Sequence, residues 1–133
     1  MRLGTDIIEI DRIRQAVERQ PRFPEKVLSA AELKLYEGFR EERRMSFLAG
    51  RFSVKEAYGK AMGTGIGRIS FTDLSILPNE MGAPVLVSAP LVENVHLSIS
   101  HSRDYATATV IVDVPEDQIQ ASLHKFFEKK YNQ

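Results

Sequence analysis

One stretch leaves few options for how this chain folds: Phe52-Ser53-Val54-Lys55-Glu56-Ala57-Tyr58-Gly59-Lys60-Ala61, followed at once by Gly63-Thr64-Gly65-Ile66-Gly67. It reads as the second half of a long helix, from about Glu42 to Met62, that runs into a glycine-rich loop. At roughly 100° per residue, Phe47, Gly50, Val54, Ala57, Tyr58 and Ala61 share one face. Leu48 and Phe52 add a second apolar stripe. The polar residues are confined to two narrow strips, Arg51 with Lys55, and Ser53 with Glu56 and Lys60. A surface helix has one apolar stripe and a broad polar face. This helix is therefore expected to be covered on most sides, with its few charges aimed at something. Gly50, Ala57 and Ala61 are small enough to let another backbone approach. Glu56 and Lys60 also fit a plain i,i+4 ion pair, worth about 0.2–0.5 kcal/mol.

The chain around this helix has 133 residues, the length of one domain with a modest core. Its 18 basic residues balance 18 acidic ones, so no global field points to nucleic acid. It has no cysteine, which excludes disulfides, thiolate metal sites and a cysteine nucleophile. No apolar run has the length of a membrane span, and the N-terminus lacks a secretory apolar segment. A soluble, cytoplasmic protein is the expectation.

Leu3 to Ile10 is rich in isoleucine and predicts a buried first strand. Asp6 lies inside it, on the face shared by Gly4 and Ile8. A carboxylate among isoleucines must be paired, hydrogen-bonded or bound to a cation; a turn aspartate at the strand end is the plainer account. Asp11 is placed to cap a helix over Arg12 to Arg19, and Pro21 and Pro24 to break the chain. Between Asp11 and Lys26, Arg12, Arg14, Arg19, Arg22 and Lys26 face three acids, a local basic strip that suits an acidic partner or a solvated face. Ser29-Ala30-Ala31-Glu32 matches a capping box, with Gly38 ending the helix that follows. Beyond the glycine loop, Ile69–Phe71 and Leu74–Leu77 read as strand and Pro78–Gly82 as a turn. Pro84–Val87 reads as the returning strand and Pro90–Asn94 as a short helix. Val95 to His101 alternates cleanly, Tyr105 to Val114 is a strong last strand, and Glu116 to Tyr131 has weak helical amphipathicity. Helices dominate the first half and antiparallel strands the second, which predicts an α+β fold. The domain is expected to span residues 1–114, with a helical tail over 115–133.

Three polar features sit in apolar or tightly turned contexts: Asp6, the Glu56/Lys60 pair, and His101 at a strand end. Two carboxylates cannot fill the shell of Mg²⁺, which is the usual state of a magnesium site completed by substrate phosphate and water. The glycine loop lets backbone N–H groups approach a phosphate, although it is not a P-loop: no Gly-Lys-Ser/Thr follows, and it ends a helix. Zinc is disfavoured with three scattered histidines and no cysteine. Residue chemistry alone stops at a divalent-metal site facing a phosphate or diphosphate.

Taken together, Gly4–Ile10, Phe52–Ala57 with Lys60-Ala61, Gly63–Gly67, and Leu97–His101 resemble the holo-acyl-carrier-protein synthases. These form the short branch of the 4′-phosphopantetheinyl transferase superfamily. The resemblance implies that family's fold. It also implies transfer of the phosphopantetheine arm of coenzyme A to a serine of an acyl carrier protein, leaving adenosine 3′,5′-bisphosphate. On the family pattern, Asp6 and Glu56 hold Mg²⁺ and Lys60 neutralises the phosphoryl group under attack. His101, Arg51 and the loop with Gly63, Gly65 and Gly67 lie against coenzyme A. Arg12, Arg22 and Phe23 match positions that grip the acidic helix of the carrier protein. The short branch is trimeric, with sites shared between subunits. The larger, single-chain branch has a third carboxylate where this chain has Ile8, so a water is implied there. A metal-bound water, Glu56 or His101 would take the serine proton. The competing readings are a non-catalytic carrier-protein- or nucleotide-binding module, or a structural trimer with a vestigial site. The resemblance ends near residue 114, leaving the tail without a role.

Overall fold

The computed structural model describes residues 1–132. β1 (Arg2–Glu9) runs directly into α1 (Ile10–Arg19). Two short helices follow, α2 (Phe23–Val27) and α3 (Ala30–Glu37), and then the long α4 (Glu41–Met62). The second half holds β2 (Ser75–Pro78), β3 (Pro84–Ser88), β4 (Val95–His101), β5 (Tyr105–Val112) and a final helix, α5 (Glu116–Tyr131). β1, β5 and β4 form an antiparallel sheet in that order, and β2 and β3 form a separate hairpin. The α+β class expected from the order of elements is what the chain adopts.

α4 crosses one face of the three-stranded sheet, and small residues set how close it comes. A Cβ at Gly4 would lie 2.0 Å from the Ala57 carbonyl oxygen and 2.8 Å from the Ala61 nitrogen. Strand and helix backbones therefore touch, which only glycine opposite alanines permits. At the other end of the sheet a Cβ on Gly50 would stand 3.1 Å from Ile99 Cγ2. Thirteen of the 22 residues of α4 are buried. One side packs with Ala108, Val110, Val112, Ile69 and Ile119, and the other with Ile10, Ile13, Val27 and Ala106. The helix is thus covered as expected, and the covering comes from its own chain. The surface left bare is the opposite face of the sheet, where Leu3 and Ile7 are 60% and 63% exposed.

Two of the capping signals read locally hold, at Ser29 and at Gly38. Ser29 and Glu32 form a reciprocal capping box at the start of α3, and Gly38 ends that helix. Gly63 ends α4 in the left-handed conformation, φ 83°. Four expectations are corrected. Asp11 does not cap α1: the helix starts at Ile10, whose N–H donates to the Asp104 carbonyl at 2.8 Å, and Asp11 accepts from Arg14 and Gln15. Pro24 opens α2 from within its first turn, where a missing N–H costs nothing. Ile69–Phe71 is not strand, because the Asp73 carboxylate takes the Ser70 N–H at 2.7 Å and draws Phe71–Asp73 into a 3₁₀ turn. Pro90–Asn94 is irregular. The Tyr58 hydroxyl donates to the Leu91 carbonyl at 2.9 Å and accepts its N–H at 3.0 Å, and Asn94 turns left-handed at φ 56°.

Candidate active site

The contact of β1 with α4 creates the first half of the site. Gly4 faces the helix, so Asp6, two residues on, faces it as well. The Asp6 side chain is only 15% exposed. Its Oδ1 lies 3.5 Å from Lys60 Nζ, and its Oδ2 is buried with no hydrogen-bond partner. Lys60 Nζ donates to the Thr5 carbonyl at 2.9 Å, while the lysine side chain remains 55% exposed. The i,i+4 pair with Glu56 is not made, because a neighbouring strand offers Lys60 a carbonyl and a carboxylate together. Glu56 is half-buried beside Asp6. Burial, then the Asp6 charge, hold its carboxyl above the usual carboxylate range, against the pull of Lys60. Two carboxylates, one with an orphaned buried oxygen, and a half-exposed cation are thus concentrated on one turn of helix and one strand residue.

The second half lies one to two turns earlier on α4. A cleft of about 220 Å³ is lined by Arg43, Phe47, Gly50, Arg51 and His101, with the β2–β3 turn at its edge. His101 reaches it from the exposed end of β4, paired in register with Ala106. Arg51 is buried, its guanidinium 4.4 Å from the Phe47 ring and its Nε donating to the Ile76 carbonyl at 3.0 Å. Burial lowers its pKa, opposed by the Glu32 charge. The structure therefore joins His101 with Arg51, and Asp6 with Glu56 and Lys60, as two groups. Arg51 and Lys60 are separated by roughly 13 Å along the helix axis.

The glycine-rich loop has a different emphasis from the one its sequence suggests. The N–H groups of Thr64 and Gly65 both donate to the Gly59 carbonyl, that of Gly63 to Lys60, and that of Gly67 to Ile69. These amides close the helix end and the loop; they do not form a free cradle. What remains is bare surface: a Cβ on Gly65 or Gly67 would meet nothing within 4 Å. The carrier-protein trio also divides. Arg12 and Arg22 are exposed, Arg22 pairing with Glu25 at 2.7 Å. Phe23 is half-buried, its ring 6.4 Å from that of Phe52.

Sequence reasoning missed one network. Glu32, read as a capping residue, is fully buried. Its Oε1 accepts from Lys55 Nζ at 2.5 Å and the Ser29 N–H at 2.8 Å, and its Oε2 from the Ile76 N–H at 2.8 Å. Lys55 also donates to the Val27 carbonyl at 2.7 Å. Nothing local marks this pair, since its members are 23 positions apart. The network fastens the hairpin that carries Ile76 against Arg51, and so shapes the cleft.

The chain belongs to the 4′-phosphopantetheinyl transferase superfamily, which residues 2–110 match. Within that class, a holo-[acyl-carrier-protein] synthase of Streptococcus thermophilus is 49% identical over 110 residues, covering 83% of this chain and 92% of the relative. One from Geobacillus kaustophilus is 49% identical over 112 residues, covering 84% and 87%. A crystal structure of the Bacillus anthracis synthase with CoA (3′,5′-ADP) superposes with a TM-score of 0.76 at 42% identity, covering 82% of this chain and 92% of that one. The Helicobacter pylori synthase in complex with coenzyme A gives 0.72 at 34% identity, covering 84% and 99%. α5 lies beyond the matched residues.

Proposed function

We propose that this protein transfers the 4′-phosphopantetheine group of coenzyme A to a serine of an apo-acyl carrier protein. The serine Oγ attacks the phosphorus that carries the pantetheine arm. The bond from that phosphorus to the bridging diphosphate oxygen breaks, and adenosine 3′,5′-bisphosphate leaves. The observation that carries this reading is the pairing of an orphaned buried carboxylate oxygen on Asp6 with a half-exposed lysine on the same site. Family membership and close similarity to the synthases supply the substrates.

The donor set suits Mg²⁺. It offers carboxylate oxygens only, one of them unsatisfied, and among the described residues no third His, Cys, Asp or Glu joins Asp6 and Glu56. A hard cation held by two carboxylates leaves room for substrate oxygens and water. Asp6 and Glu56 would hold the ion, which when bound neutralises diphosphate charge and polarises the phosphorus under attack. Lys60 is free to leave the Thr5 carbonyl and take a phosphoryl oxygen, because more than half of its side chain is in solvent. Such fixed charge is the main means by which phosphoryl-type transfer is accelerated. Of the chain's own groups, Glu56 and His101 are the two that can accept the serine proton.

His101 and Arg51 bind the nucleotide end of coenzyme A, Gly63 turns the chain into the loop, and Gly65 and Gly67 give the ligand an unobstructed surface. The two halves of the site are set apart on one chain, and the outer sheet face bears exposed Leu3 and Ile7. A homotrimer that buries this face and brings the cleft of one subunit to the carboxylates of the next accounts for both observations. Arg12 and Arg22 meet the acidic helix of the carrier protein, with Phe23 holding α2 in place. No helix among the described residues is long and apolar enough to cross a membrane.

The deciding experiment incubates the protein with coenzyme A, Mg²⁺ and a competent apo-acyl carrier protein and reads the carrier by mass spectrometry. The added phosphopantetheine mass is expected, with loss on chelation. A carrier protein that binds but gains no mass would sink the reading in favour of a binding module. Asp6→Asn should keep the fold and lose metal-dependent turnover by about 10²–10³-fold.

A further inference from the structure

α5 belongs to no part of the site described above, yet both of its ends are fastened to the flanks of the glycine-rich loop. At its first turn, Glu116 accepts a two-pronged contact from Arg2, Nε to Oε1 at 2.9 Å and Nη2 to Oε2 at 2.6 Å. The same guanidinium donates through Nη1 to the Met62 carbonyl at 2.7 Å and is the group nearest the face of Gly63. The pair therefore grips the chain where α4 ends and the loop begins. At the last turn, Lys130 Nζ donates to the Arg68 carbonyl at 2.8 Å, to Ser70 Oγ at 2.9 Å and to the Asp73 carboxylate at 2.5 Å. The Tyr131 hydroxyl donates to the Arg68 carbonyl at 3.0 Å, and the Arg68 guanidinium stacks 4.0 Å from the centre of the Phe127 ring. These contacts grip the chain where the loop ends. Between the two grips, Ile119 and Leu123 are buried in the core shared with α4.

We propose that α5 is a splint: it holds residues 63–68 in one shape, and that shape is what gives coenzyme A its bare glycine surface. The inference rests on the reading that this loop lies against coenzyme A. The physical logic is preorganisation. Gly63, Gly65 and Gly67 each have more conformational freedom to lose than any other residue type would at those positions. Binding against it carries that ordering cost unless the loop is ordered beforehand. Four loop amides already bond inside the protein, but their acceptors lie on the loop or its flanks, so they keep their geometry only while both flanks stay fixed. Lys130 is the principal positioning residue, since one ammonium ties three residues of the outgoing flank together. Lys130 and Tyr131 touch the loop's C-terminal flank and not the site itself, so their loss should weaken coenzyme A without altering the chemical step.

The test compares Lys130→Met combined with Tyr131→Phe against Lys129→Met, an exposed neighbour on the same helix. Lys130 and Tyr131 are themselves partly or largely exposed, so the double variant keeps its core, which a thermal melt verifies. Expected is a coenzyme A dissociation constant raised at least fivefold by calorimetry with Mg²⁺ present. The KM for coenzyme A should rise likewise, with kcat and the carrier-protein KM within twofold. Amide exchange at Gly65 and Gly67 should quicken about tenfold, while Lys129→Met changes none of these. Gly65→Ala, which strains a residue at φ 68°, separates the splint from the reading beneath it. If Gly65→Ala weakens coenzyme A and the double variant does not, the splint alone is overturned. If neither weakens it, the loop's place against coenzyme A falls, and the splint with it.

Discussion

Two lysine–carboxylate pairs, five residues apart on α4, do opposite work. Lys55 meets Glu32 at 2.5 Å with both side chains wholly buried, and every oxygen of that carboxylate has a partner. Lys60 meets Asp6 at 3.5 Å, its side chain more than half in solvent, and one Asp6 oxygen has no partner at all. A buried charge is tolerated only when its hydrogen bonds are complete, and Glu32 satisfies that condition through an ammonium and two backbone N–H groups. It is finished chemistry, and its role is to pin α3, α4 and the β2–β3 hairpin together. Asp6 is unfinished. Its free oxygen has the protein's cost of desolvation without the compensating bond, an arrangement that a cation relieves. The degree to which the acceptors are filled distinguishes the anchor from the site.

The largest effect should come from breaking the anchor. Lys55→Met leaves Glu32 buried without its ammonium partner, and urea denaturation should show a loss of about 3–5 kcal/mol. Adding Glu32→Gln should recover part of it. A single variant as stable as the parent would mean that the pair is not the anchor described. The matching change at the site, Lys60→Met, should move the urea midpoint much less, because the pair is 3.5 Å long and its lysine is more than half in solvent. Steady-state turnover should instead fall about 10²-fold. A stability loss as large as that of Lys55→Met would erase the distinction.

The smallest effect concerns Glu56 without metal. Its carboxyl binds a proton more tightly in the folded state than in the unfolded one, so ionisation lowers stability as pH rises above the ordinary value of 4.5. Glu56→Gln should therefore slightly stabilise the metal-free protein at neutral pH. The gain should vanish well below that value, where the carboxyl is protonated in both states. Mg²⁺ should reverse the order at neutral pH by stabilising the parent alone. A variant no more stable than the metal-free parent at neutral pH would contradict the strained pair of carboxylates.

Local chemistry was legible in the sequence and distant chemistry was not. The extent of α4, the capping box at Ser29, the left-handed stop at Gly63 and the alternation of β4 all follow from residues within a few positions of each other. So does the placement of Asp6 on the Gly4 face. Two misread segments are those where a distant group claimed the backbone, as Tyr58 did at Leu91 and the Asp104 carbonyl at Ile10, while Pro24 and the Ser70–Asp73 turn were local signals misread. The candidate site was visible as residue types, and similarity to known synthases gave them substrates. Residue chemistry alone did not group them; the resemblance set His101 with Arg51 and Asp6 with Glu56 and Lys60, and the structure adds that Lys60 leaves Glu56 for the Thr5 carbonyl on β1.

α4 shows where the boundary falls. Its period and composition determined that it would be central, closely packed and ended by glycine. Only the tertiary structure decided what the four charges of its second half do. Arg51 and Lys55 were drawn inward to a carboxylate on α3, and Lys60 and Glu56 were turned toward Asp6. A helix fixes the angle at which a side chain leaves it, but the partner waiting at that angle comes from another element, placed there by the packing of the whole chain.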